Sequence, residues 1–160
     1  MISSWALQDR LNGPVQIPTD SRSSQNRAEL VRYCRSGFAP LLAQLGLKWS
    51  LSDNPIADAA PLLFGQRIKN PLYPIILMYG HGDTVPLQAQ EWMPGLRPDR
   101  ITIRDDKIYG RGVADNKGQH LINLMALLAV LKSKKTLGFN LKLLVEMGEE
   151  IGSLGLYQFC

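Results

Sequence analysis

The sequence lacks an apolar run near the roughly 18 residues that a membrane-spanning helix needs. Its opening, Met-Ile-Ser-Ser-Trp-Ala, has neither the basic nor the apolar region of a secretory leader. No membrane partner is expected. Two cysteines, Cys34 and Cys160, are too few for a disulfide framework, and Cys34 falls on an apolar helical stripe, so a reducing, cytoplasmic setting fits. Repeats and low-complexity tracts are absent. Lys and Arg outnumber Asp and Glu by 18 to 14, yet the one dense basic run is Lys132-Ser-Lys-Lys135. That run lies where a helix should end, a place where the helix dipole favours cations, so no nucleic-acid partner is expected. What is present, 160 residues with 45% hydrophobic and 20% charged content, suits one globular domain with a real core.

Residues 1–23 read as a turn-rich lead-in, with Gly13-Pro14 and Ile17-Pro18-Thr19-Asp20-Ser21. Ser23 or Ser24 can cap a helix that starts near Gln25, kinks or breaks near Pro40 and stops at Gly46. Its apolar face is Leu30, Val31, Cys34, Phe38, Leu41, Leu42 and Leu45. A short extended piece follows Gly46, and Leu62 to Ile68 reads as a strand. Ile75 to Tyr79, an unbroken apolar run, reads as a fully buried strand that forms a β-hairpin with it. Residues 84–100, with Pro86, Pro94 and Pro98, show no period and form a long loop of the functional or mobile kind. Strands at 101–104 and 107–109 make a small hairpin about Asp105-Asp106. A helix from about Asn116 has the face Leu121, Leu124, Met125, Leu128 and Leu131. Phe139 to Met147 alternates as a strand, and Ser153 caps a last helix. The fold class is therefore α/β, a mixed, mostly parallel sheet with flanking helices. A βαβ unit places the ends of strands 75–79 and 139–147 on one rim, where ligands of open α/β sheets collect.

That rim gathers His81 and Asp83 from Gly80-His-Gly-Asp83, Asp115 at the helix start, and the pair Glu149-Glu150. Singly, each is ordinary: a structural histidine, a turn aspartate, a helix cap, a solvated glutamate pair. Trp92 reads as a loop anchor, and His120 as a surface or core residue. Together the four carboxylates need an answer, because two of them about 4 Å apart repel by about 4 kcal/mol at an effective dielectric of 20. Either their pKa values shift or a cation binds. One imidazole among carboxylates is a donor set typical of zinc or a similar divalent ion. Glu149 and Glu150 are adjacent and diverge, so one can bind metal while the other faces substrate as a general base.

Gly80-His-Gly-Asp-Thr-Val-Pro86, Trp92, Asp106-Lys-Ile-Tyr-Gly-Arg-Gly-Val-Ala-Asp-Asn-Lys-Gly-Gln119 and Glu146-Met-Gly-Glu-Glu-Ile-Gly-Ser153 together resemble the di-zinc metallopeptidase/amidohydrolase family. That family includes acetylornithine deacetylase, succinyl-diaminopimelate desuccinylase, aminoacylase, carnosinase-like dipeptidases and glutamate carboxypeptidases. Ile17 to Ser21 and the helix ending in Leu45-Gly-Leu47 extend the likeness over nearly the whole chain. The resemblance implies an enzyme that hydrolyses an amide or peptide bond of a small peptide or N-acyl amino acid, using two Zn2+ ions, with Co2+ or Mn2+ as alternatives. It implies His81 on one metal, with Asp83 holding its ring. Asp115 would bridge both metals through a cis link to Asn116, and Glu150 would bind the second. Glu149 would be the general base that passes a proton to the leaving amine.

By the same resemblance, residues 1–160 correspond to the N-terminal part of a catalytic domain. Another acidic ligand, a late histidine and a lid domain used for homodimerisation have no counterpart in them. Each metal then has two ligands from this chain, fewer than the three usual for catalytic zinc, so the expectation is a fragment with little or no activity alone. Two other classes stand beside this one. The first is a truncated, non-catalytic metal-binding or interaction module. The second is a nucleotide-binding α/β domain, against which Gly110-x-Gly112 lacks its third glycine.

Overall fold

The computed structural model describes residues 4–160; the first three residues of the lead-in lie outside it. The remainder of that lead-in is not a run of turns. Helix α1 spans Ser4–Gln16, with Pro14 inside its last turn. Leu7, Leu11 and Val15 recur every four residues, and Leu11 and Val15 are buried, so one apolar stripe outweighs the turn signals of Gly13 and Pro14.

A 3-10 turn, Ser24–Asn26, leads into α2 (Arg27–Arg32), whose cap residue Asn26 makes no side-chain capping bond. A π-helical turn, Tyr33–Phe38, then joins α2 to α3 (Ala39–Leu45). The expected kink at Pro40 is therefore displaced. The wider turn comes first, and Pro40 sits in the first turn of α3, where its missing N–H costs little. Gly46 ends α3 at φ 71, with Leu47 N–H donating back to Leu42 O at 2.9 Å, a left-handed stop that suits glycine.

The main sheet has the order β1-β2-β6-β3, from β1 (Lys48–Ser52), β2 (Leu62–Arg67), β3 (Ile75–His81) and β6 (Asn140–Glu146). It is mixed, as expected, but two of its pairings are antiparallel and β3–β6 alone is parallel, so "mostly parallel" does not describe it. The hairpin expected between β2 and β3 is absent too, because β6 inserts between them. β6 is the central strand for a plain reason: Leu141, Leu143, Leu144 and Val145 are all buried, so both of its faces need cover. Between β3 and β6 the chain makes β4 (Thr102–Arg104) and β5 (Lys107–Tyr109), joined by Asp105 and Asp106 at φ 50 and 59. Two successive positive φ angles suit a tight hairpin turn. Then comes α4 (Lys117–Lys134), and after β6 a 3-10 turn, Glu149–Ile151, and the short α5 (Leu156–Phe159). No described helix is long and apolar enough to cross a membrane.

Leu63, Leu141, Leu143 and Val145 lie on one sheet face and join α1, α3 and α4 in a single core. The opposite face differs. Its β3 side chains Ile75, Leu77 and Tyr79 are 55%, 61% and 51% exposed, so the strand read as fully buried is an exposed edge. An apolar run alone does not tell a central strand from an edge strand that awaits a partner. An apolar edge with free backbone groups invites self-association. Leu77→Glu, which sets a carboxylate beside the cross-strand Lys142, should raise the monomer fraction of the 160-residue chain in light scattering.

Candidate metal centre

β3 ends at His81 and β6 at Glu146, paired side by side, so the residues that follow each strand emerge on one rim. Gly82 bends the chain there: its N–H donates to Glu146 O at 2.9 Å, and Thr19 Oγ1 donates to its carbonyl at 2.8 Å. A Cβ at position 82 would lie 2.5 Å from Tyr33 Cε1 and 2.6 Å from Met147 Sδ, so the close approach demands glycine.

Asp83 is fully buried and organises the surroundings. Its carboxylate accepts from Ser21 Oγ at 2.7 Å, from Glu149 N–H at 3.2 Å and from Glu150 N–H at 3.1 Å. Its Oδ1 also lies 3.3 Å from His81 Nδ1, which turns Nε2 outward to the rim. There Nε2 is 2.9 Å from Asp115 Oδ1 and 3.8 Å from Glu149 Oε2. The peptide bond between Asp115 and Asn116 is cis. His81, Glu149 and Glu150 each offer a donor atom, and these lie within 4.8 Å of one another. All five residues singled out in the sequence are thus brought to one place.

The donor set suits a divalent ion. Two ligands on one tetrahedral zinc sit roughly 3.3 Å apart, given bonds of about 2.0–2.1 Å. The 2.9 and 3.8 Å separations from His81 Nε2 bracket that spacing. The charges point the same way. Burial raises the Glu150 carboxyl most and the charge of Asp115 raises it further; His81 opposes them, and Asp83 and Glu149 add smaller raises. Burial lowers the His81 pKa, but bonds to Asp83 and Asp115 and the charge of Glu149 overcome this and lift it to about 9. Without metal His81 therefore carries a proton at neutral pH, and a cation must displace it. The affinity for Zn2+ should rise about tenfold per pH unit up to about pH 9, with close to one proton released per ion at pH 8. Calorimetry in buffers of different ionisation enthalpy measures that release. The stability linkage runs the other way: with its folded pKa raised above the ordinary 6.5, His81 contributes stability below about pH 6.5 that is lost as pH rises through about 9.

Under the rim, Lys117 escaped the sequence, whereas His120, Ser153 and Trp92 were read there. Lys117 is buried, donates from Nζ to Ile17 O at 2.8 Å and Pro14 O at 3.1 Å, and lies 4.9 Å over the Tyr33 ring. Burial pulls its pKa down to about 7 against the opposing charge of Asp83. It ties the end of α1 to the start of α4, two residues from Asp115. His120 is a core residue, 2.5 Å from the Tyr33 hydroxyl, and burial with the His81 and Lys117 charges pushes it down to about 3. Ser153, read as a helix cap, instead donates its hydroxyl to Glu146 Oε1 at 3.0 Å, while Gly155 occupies the cap position of α5. Trp92 does anchor its loop, donating Nε1–H to Leu87 O at 3.1 Å, with the Arg111 guanidinium 5.7 Å from its ring centre.

Comparison with known proteins bears on what such a rim belongs to. Residues 77–160 match the family model described as Peptidase family M20/M25/M40. The chain belongs to that family. The M20/M25/M40 match opens within β3 and so takes in His81, Asp83, Asp115, Glu149 and Glu150. The Beta-Ala-His dipeptidase of Mus musculus is 35% identical over 107 residues, 66% of this chain and 21% of that relative. Among solved structures, human carnosine dipeptidase 1 aligns with a TM-score of 0.85 at 28% identity, over 96% of this chain and 34% of its own. The M20 family metallo-carboxypeptidase Sso-CP2 from Sulfolobus solfataricus aligns with a TM-score of 0.77 at 29% identity, over 97% and 32%. The chain thus spans about a fifth to a third of the length of the M20 relatives it matches.

Proposed function

We propose that the polypeptide carrying this chain hydrolyses an amide or peptide bond in a dipeptide or N-acyl amino acid, with two divalent metal ions at the rim. The observation that carries this reading is the juxtaposition of His81 Nε2 with Asp115, Glu149 and Glu150 in a chain of family M20/M25/M40. His81 and Asp115 would hold one ion, and Asp115 and Glu150 would hold the other. Bound there, such ions would lower the pKa of a water and polarise the scissile carbonyl. Asp83 keeps the His81 ring turned toward the site. Glu149, 44% exposed in its side chain, stands free to take a proton from the attacking water and pass it to the leaving amine. Two protein donors per ion are one short of the usual three, so donors outside these residues complete the site, and the 160 residues alone bind zinc weakly and turn over little or no substrate.

Zinc should raise the melting temperature of the metal-stripped chain, and His81→Ala should abolish that rise. A nucleotide-dependent rise that His81→Ala leaves intact would favour the nucleotide-binding reading instead. An undiminished zinc effect in His81→Ala would overturn the assignment of His81.

A further inference from the structure

Glu146 is the last residue of β6 and nearly fully buried, yet none of the roles above uses it. A buried carboxylate is costly unless hydrogen-bonded. Here its Oε1 accepts two hydroxyls, Tyr79 from β3 and Ser153 from beyond the Glu149–Ile151 turn, the latter at 3.0 Å. The two donors come from the two segments that present metal-binding groups. Tyr79 lies two residues before His81, and Ser153 lies three after Glu150. The backbone of Glu146 adds a third tie, since its carbonyl accepts Gly82 N–H at 2.9 Å.

Ser153 supplies the second, independent observation. It sits at φ 54, in the left-handed region where glycine would be at ease and a serine is disfavoured. Its N–H donates to Gly148 O at 2.9 Å, closing the turn that holds Glu149 and Glu150. A side chain in that conformation is explained by what its hydroxyl does, and its hydroxyl goes to Glu146.

We propose that Glu146 is a positioning residue for the metal centre: its buried carboxylate, gripping Tyr79 and Ser153 together, sets the distance from His81 to Glu149 and Glu150. It rests on the metal-centre reading above. A residue that merely fills the core there would alter stability without altering the metal's surroundings.

The test titrates the 160-residue chain and its variants with Zn2+ alone by calorimetry, and records the visible spectrum with Co2+ alone. Ser153→Gly removes the hydroxyl and relieves the backbone, so its melting temperature should hold or rise while its zinc affinity falls about tenfold, the lower end of what loss of a ligand-orienting partner costs. Glu146→Leu should lose at least as much and change the Co2+ bands. Glu146→Gln, which keeps an acceptor oxygen for both hydroxyls, should stay within about threefold of the parent, well inside that tenfold cost. Parent-like zinc affinity and Co2+ bands in Ser153→Gly overturn the proposal, whether or not Glu146→Leu folds. Glu146→Gln weakened as much as Glu146→Leu overturns it as well. Absence of zinc binding by the parent chain overturns the metal-centre reading itself, and this inference with it.

Discussion

Alanine at Glu149 is expected to leave zinc bound and to slow dipeptide hydrolysis by about 10²–10⁴-fold, the usual contribution of a general base. Alanine at Asp115 is expected to release the metal and, with it, all turnover. The two carboxylates are both near His81 Nε2, at 3.8 and 2.9 Å, so distance alone separates them weakly. Their attachment separates them further. Asp115 stands at the head of α4, its side chain 72% exposed, and the next residue, Asn116, accepts from His81 N–H at 3.4 Å through Oδ1. Glu149 and Glu150 share one short turn whose backbone N–H groups are fixed by Asp83, and both offer a carboxylate oxygen to the rim. The metal contents of the two variants therefore separate ligand from base. Metal content by atomic absorption, read beside the hydrolysis rate of the polypeptide that carries this chain, decides the matter. Equal metal loss in both variants would move Glu149 from base to ligand.

Alanine at Asp83 should be the most damaging change to the fold around the site. It would strand the Ser21 hydroxyl and the N–H groups of Glu149 and Glu150, and remove the partner of His81 Nδ1. Each unsatisfied buried donor costs about 1–3 kcal/mol, so a loss of about 3–5 kcal/mol is expected after relaxation and partial hydration. Against a typical total of about 5–15 kcal/mol this is a large share, visible as a shifted urea midpoint. Asp83→Asn keeps the shape but turns an acceptor into a donor on one side. It should fold better than alanine and still bind zinc about 10–100-fold more weakly, because the imidazole loses its orienting carboxylate. A midpoint for Asp83→Ala within error of the parent would mean that Ser21 and the glutamate turn hold themselves.

The five residues that meet at the rim could be singled out in the sequence because each follows an apolar strand or opens an amphipathic helix, and chemistry concentrates where such elements end. His81, Asp83, Asp115, Glu149 and Glu150 needed no tertiary information to be singled out. Lys117, Tyr33 and Ser21 did: a lysine at a helix start looks solvated, and nothing local says that its amine reaches back to Ile17 O. The same divide runs through the fold. The 3.6-residue spacing in α4 was plain, whereas α1 was hidden by Gly13 and Pro14, whose turn preferences lost to burial of Leu11 and Val15. Strand partners were least legible. That β6 parts β2 from β3 depends on which apolar run is covered on both faces, and Ile75 to Tyr79 reads as buried as Leu141 to Val145.

The parallel pairing of β3 with β6 has a kinetic consequence. It joins segments about 65 residues apart, across a hairpin and a helix that form from local contacts. Contacts of that separation close late, after the loop entropy has been spent. By that argument His81 should meet Glu149 and Glu150 only after the hairpin and α4 have formed. Zinc then has no half-built site to template: it would slow unfolding of the finished chain and leave the rate of its folding almost unchanged.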